Sequence, residues 1–460
     1  MTAPAVAWEE RGRPMSLLDA VLEGDRHLIH PLHDSREQAD PIVFHSGKGN
    51  ILIDVEGREY LDAFSGLWNV LVGYGRMEIV ERAAEMMGRL PYASSYSGYT
   101  NVAAAELGVR LAGYAYPGLN ATFFTSGGAE SNESAFKTAR YYWKRKGRPE
   151  KTRFIARYHA YHGVTLAAMS ATGIPPYWTL FEPRVPGFAH VPAPYPYRFQ
   201  GARPGESVGL AAARMLEEAI LAEGPENVAA VIAEPVQGAG GVIVPPDDYF
   251  PAVREICSRH EALLIADEVI TGFGRTGKGF ALHHWGVAPD ILTFAKGITS
   301  GYVPLGGMQV SDEIRDVLFS APPSEKWMHA FTYSGHPVAC AAALANLDIL
   351  EGEGLTERAA AMGVVFNRKL RTLLDLPWVG EVRGLGMMAA VELVADRETR
   401  TPAGIGDRVR ELCRYDGVLF RVRGDVVTLA PSLITTEAEM DRLIGALCTA
   451  IVTAAEEKSL

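Results

Sequence analysis

Leu263-Leu264-Ile265-Ala266-Asp267 and Ile291-Leu292-Thr293-Phe294-Ala295-Lys296 decide the fold. Each is a short, mostly apolar run that ends in one charged residue. Runs of this length and composition predict strands buried on both faces. Burial on both faces requires covering layers on each side, which predicts an α/β fold with a mostly parallel sheet. A carboxylate at the end of one such strand and an amine at the end of the next meet at one edge of the sheet. That edge is where open α/β sheets bind ligands.

Three further strand ends carry polar residues. Ala121-Thr122-Phe123-Phe124-Thr125 runs into Ser126-Gly127-Gly128-Ala129-Glu130, and a helix pattern follows to Lys146. Acids in the first turn, bases in the last and Gly147 just beyond suit the helix dipole and a C-terminal cap. Glycines at a strand-to-helix turn expose N–H groups that can seat a phosphate. Arg153-Phe154-Ile155-Ala156 leads to Tyr158-His159-Ala160-Tyr161-His162-Gly163, and Val228–Ala233 ends at Glu234. Taken singly, these are a plain turn, a surface aromatic and a loop acid. Together they supply phosphate-type glycines, a ring to stack on a flat cofactor, two acids and a lysine. A lysine able to bond covalently to a carbonyl, with an acid to hold a ring nitrogen, is the minimal apparatus of pyridoxal phosphate (PLP) chemistry.

Gly272-Phe273-Gly274-Arg275-Thr276-Gly277 also fits G-x-G-x-x-G, and Gly272–Lys278 fits most of a P-loop. Both are rejected. Five residues, Asp267–Thr271 aside from the strand proper, separate the glycines from the strand end, and no clean helix follows. The P-loop hydroxyl position holds Gly279. A nucleotide-binding protein using this loop is therefore the remote alternative.

The chain has 460 residues, enough for a large domain and a smaller one, with 48% hydrophobic and 22% charged residues. A formal net charge of −11 argues against a nucleic-acid or anionic-membrane partner. The four cysteines, Cys257, Cys340, Cys413 and Cys448, have no metal-type spacing and read as reduced thiols, so no metal is expected. No signal peptide or membrane-spanning run is evident, which makes the cytoplasm the expected compartment. Residues 51–62 predict a hairpin with a Gly turn. Residues 186–206, dense in Pro and Tyr, predict an irregular loop. Residues 336–352 predict a long helix, and 387–393 a strand. The large domain is expected at 61–330, and a small α+β domain at 1–60 and 331–460.

The motifs Thr125–Ser131, Tyr161-His162-Gly163, Glu234–Gly238, Asp267-Glu268-Val269, Ala295-Lys296-Gly297 and Phe331–Pro337 stand in the order of class III PLP-dependent aminotransferases. The chain resembles their ω-transaminase branch, of amine:pyruvate and β-alanine:pyruvate type, from about residue 27 to 450. The resemblance implies the PLP fold type I architecture, with a mostly parallel seven-stranded sheet in the large domain. It implies Lys296, Asp267 and Tyr161 as catalytic residues, with Lys296 tethering PLP and Asp267 pairing with the ring nitrogen. Val269 and Tyr161 would pack on the two ring faces. Gly127 and Gly128 would bind the phosphate, with Ser126 and His162 near the cofactor and Glu234 near its phenolic oxygen. Thr332 would reach the phosphate in a partner subunit, so the expected unit is a homodimer with active sites at the interface, dimer or tetramer left open. One departure is Gly127, where many relatives carry a Ser hydroxyl.

The same resemblance places Trp68 and Tyr96 on the substrate pocket wall and Arg421 as the arginine that binds the carboxylate of pyruvate. Arg423, two residues on, is set aside as expected to face away. The implied activity is transfer of an amino group from an amine or ω-amino acid to a keto acid, with pyruvate the expected acceptor, by ping-pong kinetics. A PLP-dependent aminomutase, racemase or decarboxylase on the same fold is the alternative.

Overall fold

The computed structural model describes residues 9–10, 13–14 and 16–459. At its centre are seven strands: β1 (Leu119–Thr125), β2 (Arg153–Arg157), β3 (Phe188–Val191), β4 (Val228–Ala233), β5 (Leu263–Asp267), β6 (Ile291–Phe294) and β7 (Gly306–Ser311). Their order is β1-β7-β6-β5-β4-β2-β3. The pairs from β6 to β3 are parallel, and β7 runs antiparallel to β6 and β1. The expected mostly parallel seven-stranded sheet is present.

Period-two alternation explains why β4 and β5 are apolar throughout. Val231, Ala233, Leu264 and Ala266 enter the larger core, whereas Ala230, Ile232, Leu263 and Ile265 enter a second core on the other face. Two covering layers leave no face for polar residues, so polarity is deferred to the strand ends. Helix α1 (Gly128–Arg145) covers the second core with Ala135, Phe136, Ala139, Tyr142 and Trp143. Lys144 and Arg145 lie in its last turn, and Gly147 follows at φ +75°. Helix α2 (Pro337–Gly352) packs on the helices Met77–Arg89 and Val102–Tyr114. From α2, buried Asn346 donates to the carbonyls of Gly297 (2.9 Å) and Ile298 (3.0 Å), pinning the backbone just after Lys296.

The expected hairpin forms from Ile51–Asp54 and Glu59–Asp62, with Gly57 at φ +82° in its turn. Val418–Leu419 adds in parallel to Leu61–Asp62, so both ends of the chain share one sheet. A further sheet runs Val379–Gly384, Ala389–Asp396, Val426–Leu429, Arg421–Arg423.

Two expectations need correction. Residues 186–206 are not wholly irregular, because Phe188–Val191 is the edge strand β3. Pro186, Pro192 and Pro194 crowd its ends and hide it, yet prolines outside an edge strand remove no ladder hydrogen bond. The strand expected at 387–393 starts at Ala389, and Met387 and Met388 are fully buried ahead of it.

The rejected glycine loop is packed interior. Gly277 sits at φ +85°, and a Cβ there would lie 2.7 Å from Ala360 Cα. Arg275 is fully buried; its guanidinium donates to the carbonyls of Met387 (3.0 Å) and Pro431 and to Ser65 Oγ (3.2 Å). No room is left for a nucleotide phosphate. Arg275→Ala strands two dry carbonyls, so it should cost about 2–4 kcal/mol and lower the urea midpoint. An unchanged midpoint would show that the loop is not a structural clamp.

Candidate active site

Five strand ends open onto one cavity of about 160 Å³ at the carboxyl edge of the sheet. β1 delivers Gly128 at the start of α1, and β2 delivers Tyr161 and His162. Glu234 follows β4, Asp267 ends β5 with Val269 just beyond, and Lys296 follows β6. A larger groove of about 520 Å³ lies at the opposite, amino-terminal edge, by Thr152 and Arg153. Its cations are engaged: Arg153 pairs with Glu223 at 2.6 Å, and Arg140 Nε donates to the Thr152 carbonyl.

Asp267 is 3% exposed and fully supported. Its Oδ2 accepts from Asn132 Nδ2 (2.8 Å) and His162 Nδ1 (2.7 Å), and its Oδ1 accepts from the Val269 N–H (3.2 Å). Pairing with a carboxylate assigns the imidazole proton to Nδ1. His162 Nε2 is then a buried acceptor with no partner among the described residues. Asn132 also donates to the His162 carbonyl (2.8 Å) and accepts from Thr293 Oγ1 (2.8 Å). Sequence reasoning missed Asn132. The available signal was a buried-face polar residue four after Gly128, hence one helical turn away on the same side of α1.

Glu234 accepts from the N–H groups of Tyr161 (2.9 Å) and Gly238 (3.0 Å). Burial pushes its carboxyl up to about 7. Lys296 sits at φ +48°, a left-handed conformation directly after β6. Burial lowers its amine, while the charges of Asp267 and Glu234 oppose that shift. A lowered amine is more often neutral near pH 7 and so more nucleophilic. Tyr161 has its ring centroid 5.4 Å from that of Tyr177, and burial raises its phenol.

The phosphate-type turn has one strict glycine. A Cβ at Gly128 would lie 2.9 Å from Val269 Cγ1, whereas a Cβ at Gly127 would meet nothing within 4 Å. Space beside Gly127 is open, so no steric constraint holds that position as glycine. The first helical N–H bond is Ser131 to Gly127, which leaves the N–H groups of Gly128, Ala129 and Glu130 free of intrahelical acceptors. The Ser126 N–H is already taken by Glu130 Oε2 at 2.8 Å.

The residues expected at the substrate end divide differently. Trp68 is 2% exposed and packs edge-on against Phe64 in a cluster with Ile270. Ile270 lines the cavity, so Trp68 backs the wall instead of forming it. Tyr96 is 45% exposed and lies off the cavity lining. Thr332 is exposed, and its carbonyl accepts from Tyr92 Oη at 3.0 Å. Arg421 lies on the short strand Arg421–Arg423, and its charge reaches both the Tyr161 phenol and the Lys296 amine. Arg423, expected to face away, shares the face of Arg421. A strand has period two, and it is Val422 between them that packs into the core.

Residues 33–451 match the model of the class-III aminotransferase family. The chain is a class III aminotransferase. It is 42% identical over 429 residues to the putrescine–pyruvate aminotransferase of Pseudomonas aeruginosa, covering 92% of this chain and 93% of that protein. A solved (S)-enantioselective ω-transaminase from Thermomicrobium roseum is similar at a TM-score of 0.92 and 46% identity, over 96% of this chain and 100% of that one. The ω-transaminase of Pseudomonas jessenii, solved in complex with PMP, is similar at a TM-score of 0.91 and 36% identity, over 96% and 99%.

The enzyme is accordingly a PLP-dependent aminotransferase that moves an amino group to a keto acid, on the type I fold. The residues present fit that cofactor. A supported anion, a buried amine, free helix N-terminal N–H groups and Tyr161 and Val269 all border one cavity.

The raised Glu234 carboxyl has a pH signature in the protein freed of cofactor. Its folded value, about 7, exceeds the ordinary 4.5. Stability from this group is full below pH 4.5 and is lost as pH rises through 7. The loss is on the order of 3 kcal/mol. Glu234→Gln lacks this dependence, so the wild-type advantage in urea midpoint should shrink from pH 4.5 to 8. A constant difference would contradict the raised carboxyl.

Proposed function

We propose that the enzyme takes amino groups from amines or ω-amino acids and delivers them to pyruvate by a ping-pong mechanism. One observation carries this reading: the buried amine of Lys296 and the supported carboxylate of Asp267 face one cavity, and an unpaired arginine cation reaches the same amine. The name of the Pseudomonas aeruginosa relative, with putrescine as donor and pyruvate as acceptor, supports both substrate classes.

Bound PLP supplies an electron sink for the negative charge that develops at the substrate carbon next to nitrogen. Asp267, held by Asn132 and His162, would pair with the ring nitrogen of bound PLP through a charge-assisted hydrogen bond. Lys296 holds the cofactor between turnovers. With its amine lowered by burial, Lys296 Nζ would serve as the base that takes the proton from the substrate carbon and as the acid that gives it back. Glu234 fixes the Tyr161 backbone and thereby the ring beside the cofactor. The backbone at Gly127 and Gly128, with Ser126 adjacent, seats the phosphate. Arg421 binds the keto-acid carboxylate, since a planar guanidinium donates two parallel hydrogen bonds to it. That role favours transfer over isomerisation or decarboxylation, which need no second carboxylate-bearing substrate.

The assembly we propose is a homodimer, with Thr332 reaching the phosphate bound in the partner subunit, and with Trp68 and Tyr96 as substrate-pocket residues. Support comes from exposed apolar residues beside Thr332: Met328 and Tyr333 are close to it in sequence, and exposed Tyr92 donates to its carbonyl and packs on Tyr333. The division into a 61–330 domain and a 1–60 plus 331–460 domain belongs to the same proposal, as does the cytoplasmic compartment. Among the described residues no helix is long and apolar enough to cross a membrane.

With PLP, an amine and pyruvate, the wild-type enzyme should form alanine, and Lys296→Ala should lose at least about a thousandfold in kcat. In solution its mass should be twice the chain's 49.9 kDa. Alanine formation by Lys296→Ala at the wild-type rate would sink the assignment; a chain-sized mass would sink the dimer alone.

A further inference from the structure

We propose that Arg423 is a second carboxylate-binding residue of the acceptor pocket, and that with Arg421 it selects a short 2-keto diacid. The inference rests on the reading that this cavity accepts keto acids, and it extends the acceptor class beyond pyruvate.

Strand register fixes where the two arginines point. Arg421 pairs with Thr428, Val422 with Val427 and Arg423 with Val426. Val427 is fully buried and Val422 packs on the main core, so that face of the ribbon is closed. Arg421 and Arg423 lie on the opposite face together with Val426. Val426 in turn packs in the small cluster that holds Ile270, a residue of the cavity lining. Both guanidinium groups therefore sit on the cavity side of the sheet.

Their electrostatic neighbours order them along the pocket. Arg421 acts on Lys296 and Tyr161, at the reacting end. The charge of Arg423 acts on His159, and Tyr177 in turn acts on Arg423. The Tyr177 ring is 5.4 Å from that of Tyr161, so the aromatic neighbour of Arg423 adjoins that of Arg421.

Among the described residues, neither guanidinium has a hydrogen bond or an ion pair. Other partly buried arginines have acid partners, as Arg198 with Glu392, Arg214 with Glu206 and Arg254 with Asp290. Arg423 is half-buried, and both burial and Arg421 disfavour its charge. Two unpaired cations on one strand face repel each other, and desolvation adds to that cost. An anion with one carboxylate neutralises one of them. A diacid neutralises both, and residues two apart on a strand are separated by about 6.6 Å, comparable to the reach of a short diacid.

The test compares acceptors on the PLP-loaded enzyme with one amine donor. The probes are pyruvate, oxaloacetate and 2-oxoglutarate, and the proteins are wild type, Arg423→Gln and Arg423→Lys. Wild type should use at least one keto diacid. In Arg423→Gln the ratio of kcat/KM for the diacid to that for pyruvate should fall at least about tenfold, mainly through KM. Arg423→Lys should recover part of that ratio. Because the ratio is taken within each protein, loss of folded enzyme cancels. Pyruvate turnover without diacid turnover in wild type, or an unchanged ratio in Arg423→Gln, would overturn the inference and leave the transfer reading standing. Turnover of no keto acid by any protein would overturn both.

Discussion

A carboxylate at 3% exposure, facing a buried amine across one cavity, is the constraint on which the rest depends. Around that carboxylate, hydrogen bonds from the protein take the place of water. Asn132 supplies one from α1, His162 supplies one from the loop after β2, and the Val269 N–H supplies a third. Each donor is fixed in turn: Asn132 by Thr293 on β6, and the His162 N–H by Thr172 at 2.9 Å. The central strands thus do more than pack. They set the registry of a polar network that would be expensive if one member were missing.

The same placement tunes the two groups that the anion faces. Burial lowers the Lys296 amine and raises the Glu234 carboxyl toward neutrality. A lowered amine and a raised carboxyl in one dry site are the kind of shifted groups that proton transfer uses. The acceptor side works by surplus charge instead. Among the described residues, Arg421 and Arg423 stand without counter-ions on the cavity side of their ribbon, two cations in a chain whose net charge is −11.

Much of this was legible in the sequence because parallel strands buried on both faces must be apolar, so a charged residue at each end stands out. Lys296, Asp267, Glu234, Tyr161, His162, Val269 and Gly128 were found that way or through the family motifs, and the structure brings them to one cavity. β3 was not legible, since an edge strand needs only a short apolar run and prolines crowded it. Asn132 was not, because one polar residue inside a helix looks like a solvated face until the helix is docked. Arg423 was misjudged by its strand period. Trp68, Tyr96 and Thr332 were placed by resemblance alone, and their surroundings in one chain do not carry those roles.

The central claim is that Lys296, and no other amine, is the covalent anchor of PLP. The rival is Lys151, fully buried at the amino-terminal edge of β2 and less exposed than Lys296, but its ammonium is held by the carbonyls of Pro225 (2.9 Å), Val228 (2.9 Å) and Glu261 (2.8 Å). Borohydride reduction of the PLP-loaded enzyme, followed by peptide mass mapping, tests this directly. The account predicts the pyridoxyl mass on the peptide containing Lys296 alone. Its appearance on Lys151 or any other lysine, with Lys296 unmodified, would contradict the account.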